Sequence, residues 1–246
     1  MRSFYPIRVL DAVMALSVML RAMRTRPPRA ALAGLALLAV AAPTASAAQI
    51  ATDRGCYLES TATRVTMGGA GFKPGAPYQV LLDGKPLPNG SGTVDANGNV
   101  TGTFTPPALS ADKEATHTLT VQEGTNTAET SFSVTRFLAD FTPGSGNPST
   151  LRVRFAAYGF SLAKPNATVF VHYVKPNGKL KRTVRLGTAN GPCGRITRTR
   201  KRRLFPFTAE RGGWKLQFDT SRRYRRGTST SNFLFYTLGV KIRKLV

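Results

Sequence analysis

The sequence predicts an all-β protein: two antiparallel β-sandwiches in tandem, preceded by an N-terminal segment of different character. Three observations carry this. Beyond residue 48, apolar and polar residues alternate with period two, and Gly, Pro, Asn and Asp turn signals recur about every 8 to 12 residues. The stretch "GFKPGAPYQVLLDGKPL" from Gly71 has a partner 88 residues on, in "GFSLAKPNATVFVHYVKPNGKL" from Gly159. Helical periodicity is absent after the N-terminal segment. With 246 residues and 41% hydrophobic content, the chain suits one large globular domain or two small ones.

The N-terminal segment, residues 1–47, reads as an export signal. "MRTRPPR" (Met23 to Arg29) is basic, "AALAGLALLAVAA" (Ala30 to Ala42) is apolar, and "PTASA" ends on small residues at Ala45 and Ala47. That order is what a signal peptidase reads, with cleavage expected before Ala48 or one residue later. A buried helix would need polar positions at helical spacing, and the apolar block has none. Residues 1–22 fit poorly in front of it, because "VLDAVMALSVML" is broken by Asp11. Translation is therefore expected to start at Met23. No apolar run reaches the roughly 20 residues of a membrane-spanning helix, so no span is expected in the mature chain.

Each repeat follows the same course. A Gly-Phe pair closes one strand, a Pro-containing turn follows, an apolar strand runs on, and a Gly-Lys turn ("DGK" at Asp83-Gly84, "NGK" at Asn177-Gly178) reverses the chain. Later, "TLTVQEGTNTAETSFSV" and "WKLQFDTSRRYRRGTSTSNFLFYTLGV" each read as strand, polar loop, strand, forming a final hairpin. Leu119 and Val121 share a face with His117, whereas Trp214, Leu216 and Phe218 alternate with Lys215, Gln217 and Asp219 on an expected wet face. Phe205, Phe207, Trp214 and "FLFYTLGV" are assigned to the second core. "SFSVT" ends the first unit and "FLADF" opens the second as "CYLES" opens the first, giving domains at 48–136 and 137–246. "TPGSGNPST" is then a loop inside the second.

The pattern "VTMGGAGFKPGAPYQVLLDG" with the later "DANGNVTGTFTPP" resembles the bacterial immunoglobulin-like modules of exported and surface proteins, covering the first unit well and the second only through its turns. The resemblance implies a seven-strand sandwich serving as spacer, adhesin or ligand-binding module, and fold alone does not select among these. The Cys, Trp, Cys trio of antibody domains is absent.

Two cysteines follow the export segment, Cys56 and Cys193, one in each unit. In an oxidising compartment an even count favours a disulfide, with two buried thiols as the alternative. Any intrachain bridge must join the two units. Cys193 lies in "NGPCGR", a turn-rich stretch expected at the surface. A structural zinc takes about four clustered ligands, while His117 and His172 stand alone, so neither metal nor cofactor is expected.

Charge divides the units. Lys plus Arg against Asp plus Glu is 6 to 1 over residues 1–47, 6 to 8 over 48–136 and 23 to 3 over 137–246, for nets of +5, −2 and +20. The first copy of the architecture does without the excess, so folding does not require it. Two clusters dominate: Arg198, Arg200, Lys201, Arg202 and Arg203 within "RITRTRKRRLFPF", and Arg222, Arg223, Arg225 and Arg226 around Tyr224. Guanidinium forks suit phosphate and carboxylate. One reading is a solvated face or a compositional bias; the other is binding to an anionic polymer or surface. Wall glycan or phosphate, anionic lipid and extracellular DNA are the available polyanions, because an export signal argues against intracellular nucleic acid.

A catalytic set is not apparent. "MGGAGF" opens no helix and is better explained by a strand bend or a close backbone approach than by a phosphate loop. Asp83, Asp95 and Asp219 do not form an expected carboxylate pair, and both histidines sit in strands. The sequence therefore points to an exported, non-enzymatic envelope protein whose second domain binds an anionic partner; the alternative is a structural spacer or protein-binding adhesin with an incidental basic face. N-terminal mapping tests the processing scheme. The exported protein is expected to begin at Ala48 or the next residue, and a precursor peptide spanning Arg21 to Thr25 would contradict initiation at Met23.

Overall fold

The computed structural model describes residues 47–162, 164–226 and 233–243. The expected export segment through Ala45 and the start at Met23 lie outside these residues. Ala47 is exposed, and Ala48 packs against the first core.

Fifteen strands make up the described fold, with no helix among the described residues. The first set comprises β1 (Gln49–Thr52), β2 (Cys56–Leu58), β3 (Val65–Ala70), β4 (Pro77–Leu82), β5 (Lys85–Thr93), β6 (Val100–Phe104), β7 (Glu114–Glu123) and β8 (Asn126–Thr135). The second comprises β9 (Leu138–Thr142), β10 (Arg152–Tyr158), β11 (Thr168–Val174), β12 (Leu180–Thr188), β13 (Arg202–Arg203), β14 (Gly212–Asp219) and β15 (Phe235–Ile242). The sheets have the orders β1-β3-β6 and β2-β8-β7-β4-β5, then β9-β10-β13 and β12-β11-β14-β15. Apart from β2, the second pair repeats the first, with β12-β11-β14-β15 in the places of β5-β4-β7-β8 and β9-β10-β13 in those of β1-β3-β6. The architecture is two immunoglobulin-like sandwiches.

Each pair of sheets closes on its own core, and both cores lie in one compact unit. In the first, Val65, Met67 and Val100 of the small sheet meet Val80, Leu119, Val121, Phe132 and Val134 of the large one. In the second, Val153, Phe155 and Ala157 meet Val171, Tyr173, Trp214, Leu216 and Phe218. A fully buried side chain of this size stabilises by about 1.5–3 kcal/mol. Phe205 and Trp214 are buried as expected, with Phe207, Tyr236, Leu238 and Val240 partly buried around them.

The repeat survives in backbone detail at Gly71 and Gly159, whose φ angles are 85° and 81°. Both glycines leave a strand in the left-handed region, where a Cβ is disfavoured. The Gly-Lys turns differ from expectation. Asp83 (φ 51°) and Gly84 (φ 75°) form a two-residue hairpin, but at the second turn Gly178 (φ 80°) has positive φ and Asn177 does not. There Gly178 N–H donates to Lys175 O, Lys175 N–H donates to Lys179 O, and the register slips between Tyr173 and Val174. One extra residue converts the tight turn into a type I turn with a glycine bulge. Gly69 in "MGGAGF" marks a close approach, since a Cβ there would lie 2.7 Å from Ile50 Cγ2 and 2.8 Å from Gln49 O.

Two further expectations are corrected. The sandwiches are not wholly antiparallel, because β2 pairs parallel with β8 and adds a fifth strand to its sheet. Gln217 and Asp219 are not on a wet face; they are 5% and 0% exposed, because the segment after β14 folds back over them.

The units are clamped at their junction. Cys56 and Cys193 form a disulfide. Cys193, expected at the surface, is fully buried, because "NGPCGR" packs against the first unit, with Pro192 beside Gly55. Arg195 pairs with Glu114 at 3.3 Å, and Lys113 pairs with Asp140. Arg136 ties the end of the first sandwich to itself: its Nε donates to Glu59 Oε2 (2.6 Å) and its Nη2 to Leu109 O (2.6 Å), while Leu109 N–H donates to Glu59 Oε1. The Arg136 hydrogen bond, followed by the one from Leu109 N–H, holds Glu59 below the ordinary carboxylate range. Its contribution to stability is therefore present above that range and lost as pH falls through the lowered pKa.

The disulfide closes a loop over a sequence separation of 137 residues, for which chain entropy gives a stabilisation of up to about 5 kcal/mol. A Cys56→Ser/Cys193→Ser double variant is expected to lower the denaturant midpoint of the second unit markedly. An unchanged midpoint would show that the junction holds without the bridge.

Candidate functional site

The run "RITRTRKRR" is built into the small sheet of the second sandwich. Ile196 exchanges both backbone hydrogen bonds with Ala157 (2.8 and 2.9 Å), Thr199 N–H donates to Phe155 O (2.9 Å), and Arg202 and Arg203 pair with Val153 and Arg152 as β13. Thr199 is 6% exposed, and its hydroxyl accepts from Phe155 N–H. The run is held along β10 by these contacts, which leaves Arg198, Arg200, Lys201 and Arg203 exposed. Arg202 turns the other way, is half-buried, and donates from Nη1 to Arg185 O at 3.2 Å.

Alternation along β10 adds residues that the clusters read from sequence did not include. Val153, Phe155 and Ala157 point into the core, so Arg152 and Arg154 point out. Arg152 Nη2 donates to Lys201 O and Arg154 Nη1 to Thr199 O, both at 3.3 Å. Each guanidinium is thus fastened to the basic run beside it and keeps further N–H donors free for solvent or ligand.

Two hollows flank this row. One, of about 480 Å³, is lined by Arg154, Tyr158, Arg198, Lys201, Asp140 and, from the first sandwich, Lys113. The other, of about 810 Å³, is lined by Arg152, Lys201, Arg202, Arg203 and Phe207 among others. Lys201 borders both. The aromatic rings carry cations of their own: Lys113 Nζ lies 5.4 Å from the Tyr158 ring centre and Lys181 Nζ 5.9 Å from that of Phe207.

The second cluster is elsewhere. Residues 221–226 fold over the outer face of the β12-β11-β14-β15 sheet, so the core of the sandwich separates this cluster from the first. A buried polar network fixes the loop. Nε2 of His172 lies 3.1 Å from both Asp219 Oδ1 and Ser221 O; facing two acceptors, it donates. Asp219 also accepts from Gln217 Nε2 and Ser221 N–H, both at 2.8 Å, and Gln217 Nε2 donates to Arg225 O. Tyr224 is half-buried against the His172 ring (5.6 Å between centres), while Arg222, Arg223, Arg225 and Arg226 are exposed. His172, read as a lone strand histidine, has Thr183 Oγ1 at 2.8 Å from Nδ1 as a further partner. Contacts around β12 lie between the clusters: Arg202 reaches Arg185 O, Arg182 Nη1 donates to Pro206 O, and Arg226 Nη1 approaches Gly178.

Counter-charge is scarce here. The three acids of residues 137–246 are engaged: Asp140 with Lys113, Glu210 with Lys175 (3.6 Å) and Asp219 with His172. Among the described residues, no cation of either cluster has a carboxylate within ion-pair distance. In the first sandwich Asp83 meets His117 at 2.7 Å and accepts from Thr118 N–H. Burial opposes its charge, but these hydrogen bonds prevail and hold its pKa below the ordinary value. His117, like His172, is therefore paired and not isolated. Asp95 accepts from the backbone N–H groups of Asn97 and Asn99 to fix its turn. Asp83 and Asp95 are engaged in the first sandwich and Asp219 in the second. Among the described residues no group of three or more His, Cys, Asp or Glu is placed to hold a metal.

No protein-family model matches the sequence, and no curated protein matches it. Among solved structures, similar chains include a tetra-tandem repeat from the extending region of a large adhesion protein (14% identity, TM-score 0.27, covering 80% of this chain and 49% of that one). The D0-D1 domain of intimin is similar at 12% identity and TM-score 0.30, covering 79% and 97%. Red sea bream transglutaminase is similar at 12% and 0.28, covering 81% and 32%. This chain thus spans about half the length of the adhesion-protein fragment. Adhesin and enzyme both appear, so these likenesses select no function.

Asp219→Ala would leave His172 and Gln217 buried without their main acceptor, a loss of about 3 kcal/mol. Amide hydrogen exchange over Ser221–Arg226 is expected to accelerate in that variant. Unchanged exchange would mean that Asp219 does not hold the loop.

Proposed function

We propose that this is an exported, non-enzymatic envelope protein of the bacterial immunoglobulin-like kind, in which residues 137–246 dock on an anionic polymer or surface and residues 48–136 form a stand-off arm. The observation that carries the reading is the row of exposed, carboxylate-free cations along β10 and the run beside it: Arg152, Arg154, Arg198, Arg200, Lys201 and Arg203. Self-repulsion among them weakens the fold. A polyanion relieves that repulsion, and each basic side chain near an anionic surface contributes on the order of 1 kcal/mol. The disulfide supports an oxidising destination outside the cytoplasm. The four arginines of the 221–226 loop, on the other sheet, are a second contact to the same kind of partner.

The arm role draws on the junction. The bridge and two ion pairs fix a unit of net charge −2 beside one of net charge +20, which directs an anionic partner toward the second unit.

Retention of the disulfide-bonded chain on immobilised heparin or wall-derived polymer across a salt series tests this. Affinity is expected to fall linearly with log salt concentration. Replacing Arg198, Arg200, Lys201 and Arg203 by glutamine is expected to reduce that slope by about 3 to 4, at roughly 0.9 per phosphate contact. A slope unchanged in that variant would remove the run from the docking surface, and no retention at low salt would remove docking itself.

A further inference from the structure

Resting on that reading, we propose that the row along β10 takes a linear phosphodiester chain of the polyol-phosphate type, held by its phosphates alone. Outward side chains on one strand recur every second residue, a step of about 6.7 Å. Arg152 and Arg154 are one such step apart, and the carbonyls to which they are fastened, Lys201 O and Thr199 O, are also two residues apart on the neighbouring run. Arg203 stands beside Arg152 in register. Arg198 and Lys201 share the smaller hollow with Arg154. The result is successive pairs of cations in a fixed row, with Lys201 bordering the hollows on either side.

A phosphodiester polymer joins successive phosphorus atoms through six bonds when the bridge is a three-carbon polyol segment. Three backbone bonds of an extended peptide span about 3.3–3.6 Å, so six bonds of similar length span about 7 Å. That repeat matches the two-residue step of a strand. Each phosphate then meets one pair of cations, with guanidinium N–H groups donating to its oxygens. Polyuronates fit less well, because their carboxylates are borne on rigid rings turned from one to the next.

The aromatic residues decide between polyol phosphate and single-stranded nucleic acid. Binding of bare strands ordinarily stacks bases on exposed aromatic faces. Here each of the two rings at the hollows, Tyr158 and Phe207, already carries a lysine ammonium, Lys113 and Lys181. Base stacking would have to displace those cations, whereas a polyol offers no ring and leaves them in place.

Fluorescence anisotropy on the disulfide-bonded chain separates the alternatives, with three labelled probes of eight charges each at one ionic strength: octa(glycerol phosphate), octagalacturonate and an oligothymidylate. The polyol phosphate is expected to bind about tenfold more tightly than the uronate and at least as tightly as the oligothymidylate. Arg154→Gln is expected to erase most of the preference for phosphate over uronate, while Arg64→Gln, on the exposed surface of the first sandwich, leaves it intact. A thermal-unfolding midpoint within a few degrees of wild type checks that Arg154→Gln keeps its fold; Arg152→Gln serves as the second variant. Equal binding of uronate and polyol phosphate would overturn the phosphodiester assignment and leave anion docking standing. Tighter binding of oligothymidylate would make nucleic acid the occupant and overturn the polyol assignment. Failure of all three probes to bind would overturn the docking reading itself.

Discussion

The alternation of β10 is the constraint on which the second sandwich depends. Val153, Phe155 and Ala157 must enter the core for the small sheet to close on Trp214, Leu216 and Phe218. The same alternation forces Arg152 and Arg154 outward, and the basic run is held beside them by the ladder pairs of Arg202 and Arg203 at one end and the Ile196–Ala157 bridge at the other. Within β10, strand geometry keeps both arginines off the core side, and the described cations of the neighbouring run are exposed or half-buried. Packing that makes the module fold thus also fixes the spacing of its charges. A flexible basic tail of equal charge would attract polyanions too, but it would hold no fixed step between cations and would lose conformational entropy on binding.

The second basic cluster is positioned by a different device. An exposed loop rich in arginine has little reason to adopt one shape, yet residues 221–226 lie over a sheet whose outer face carries a buried carboxylate, amide and imidazole. Hydrogen bonds from His172, Gln217 and Ser221 satisfy Asp219, and carbonyl acceptors at Ser221 and Arg225 return the favour to His172 and Gln217. The network is costly to break on one side and well satisfied when whole. It explains how four guanidiniums are displayed on a short loop. At the junction the disulfide and the pairs Lys113–Asp140 and Arg195–Glu114 bring the first unit's Lys113 to the rim of the smaller hollow. The two units are therefore not independent beads.

The sheets were legible in the sequence because period-two patterning and turn residues are local signals. The duplicated Gly-Phe exits were legible for the same reason: Gly71 and Gly159 need a backbone conformation that few other residues adopt. The row along β10 was only half legible. "LRVRF" contains the alternation that sends Arg152 and Arg154 outward, but nothing local says that residues 195–203 lie beside it; that follows from tertiary pairing. Lys113 and Tyr158 come together across the junction, which sequence spacing does not encode. The burial of Gln217, Asp219 and His172 was hidden too, since polar residues at alternate positions normally mark a wet face, and here a loop from the same chain covers them. The difference between the Asp83-Gly84 and Asn177-Gly178 turns depends on a one-residue bulge that the shared motif does not reveal.

The central claim is that binding energy is localised in cations of fixed register and not spread over the positive charge as a whole. Arginine side-chain NMR tests it most directly, by following the Nε–Hε signals while octa(glycerol phosphate) is titrated into the folded chain. The account gives large shifts for Arg152 and Arg154, smaller ones for arginines of the 221–226 loop, and none for Arg54 and Arg64 of the first sandwich. Shifts of similar size across all arginines would show that only net charge attracts the partner, and the structural row would then have no role in recognition.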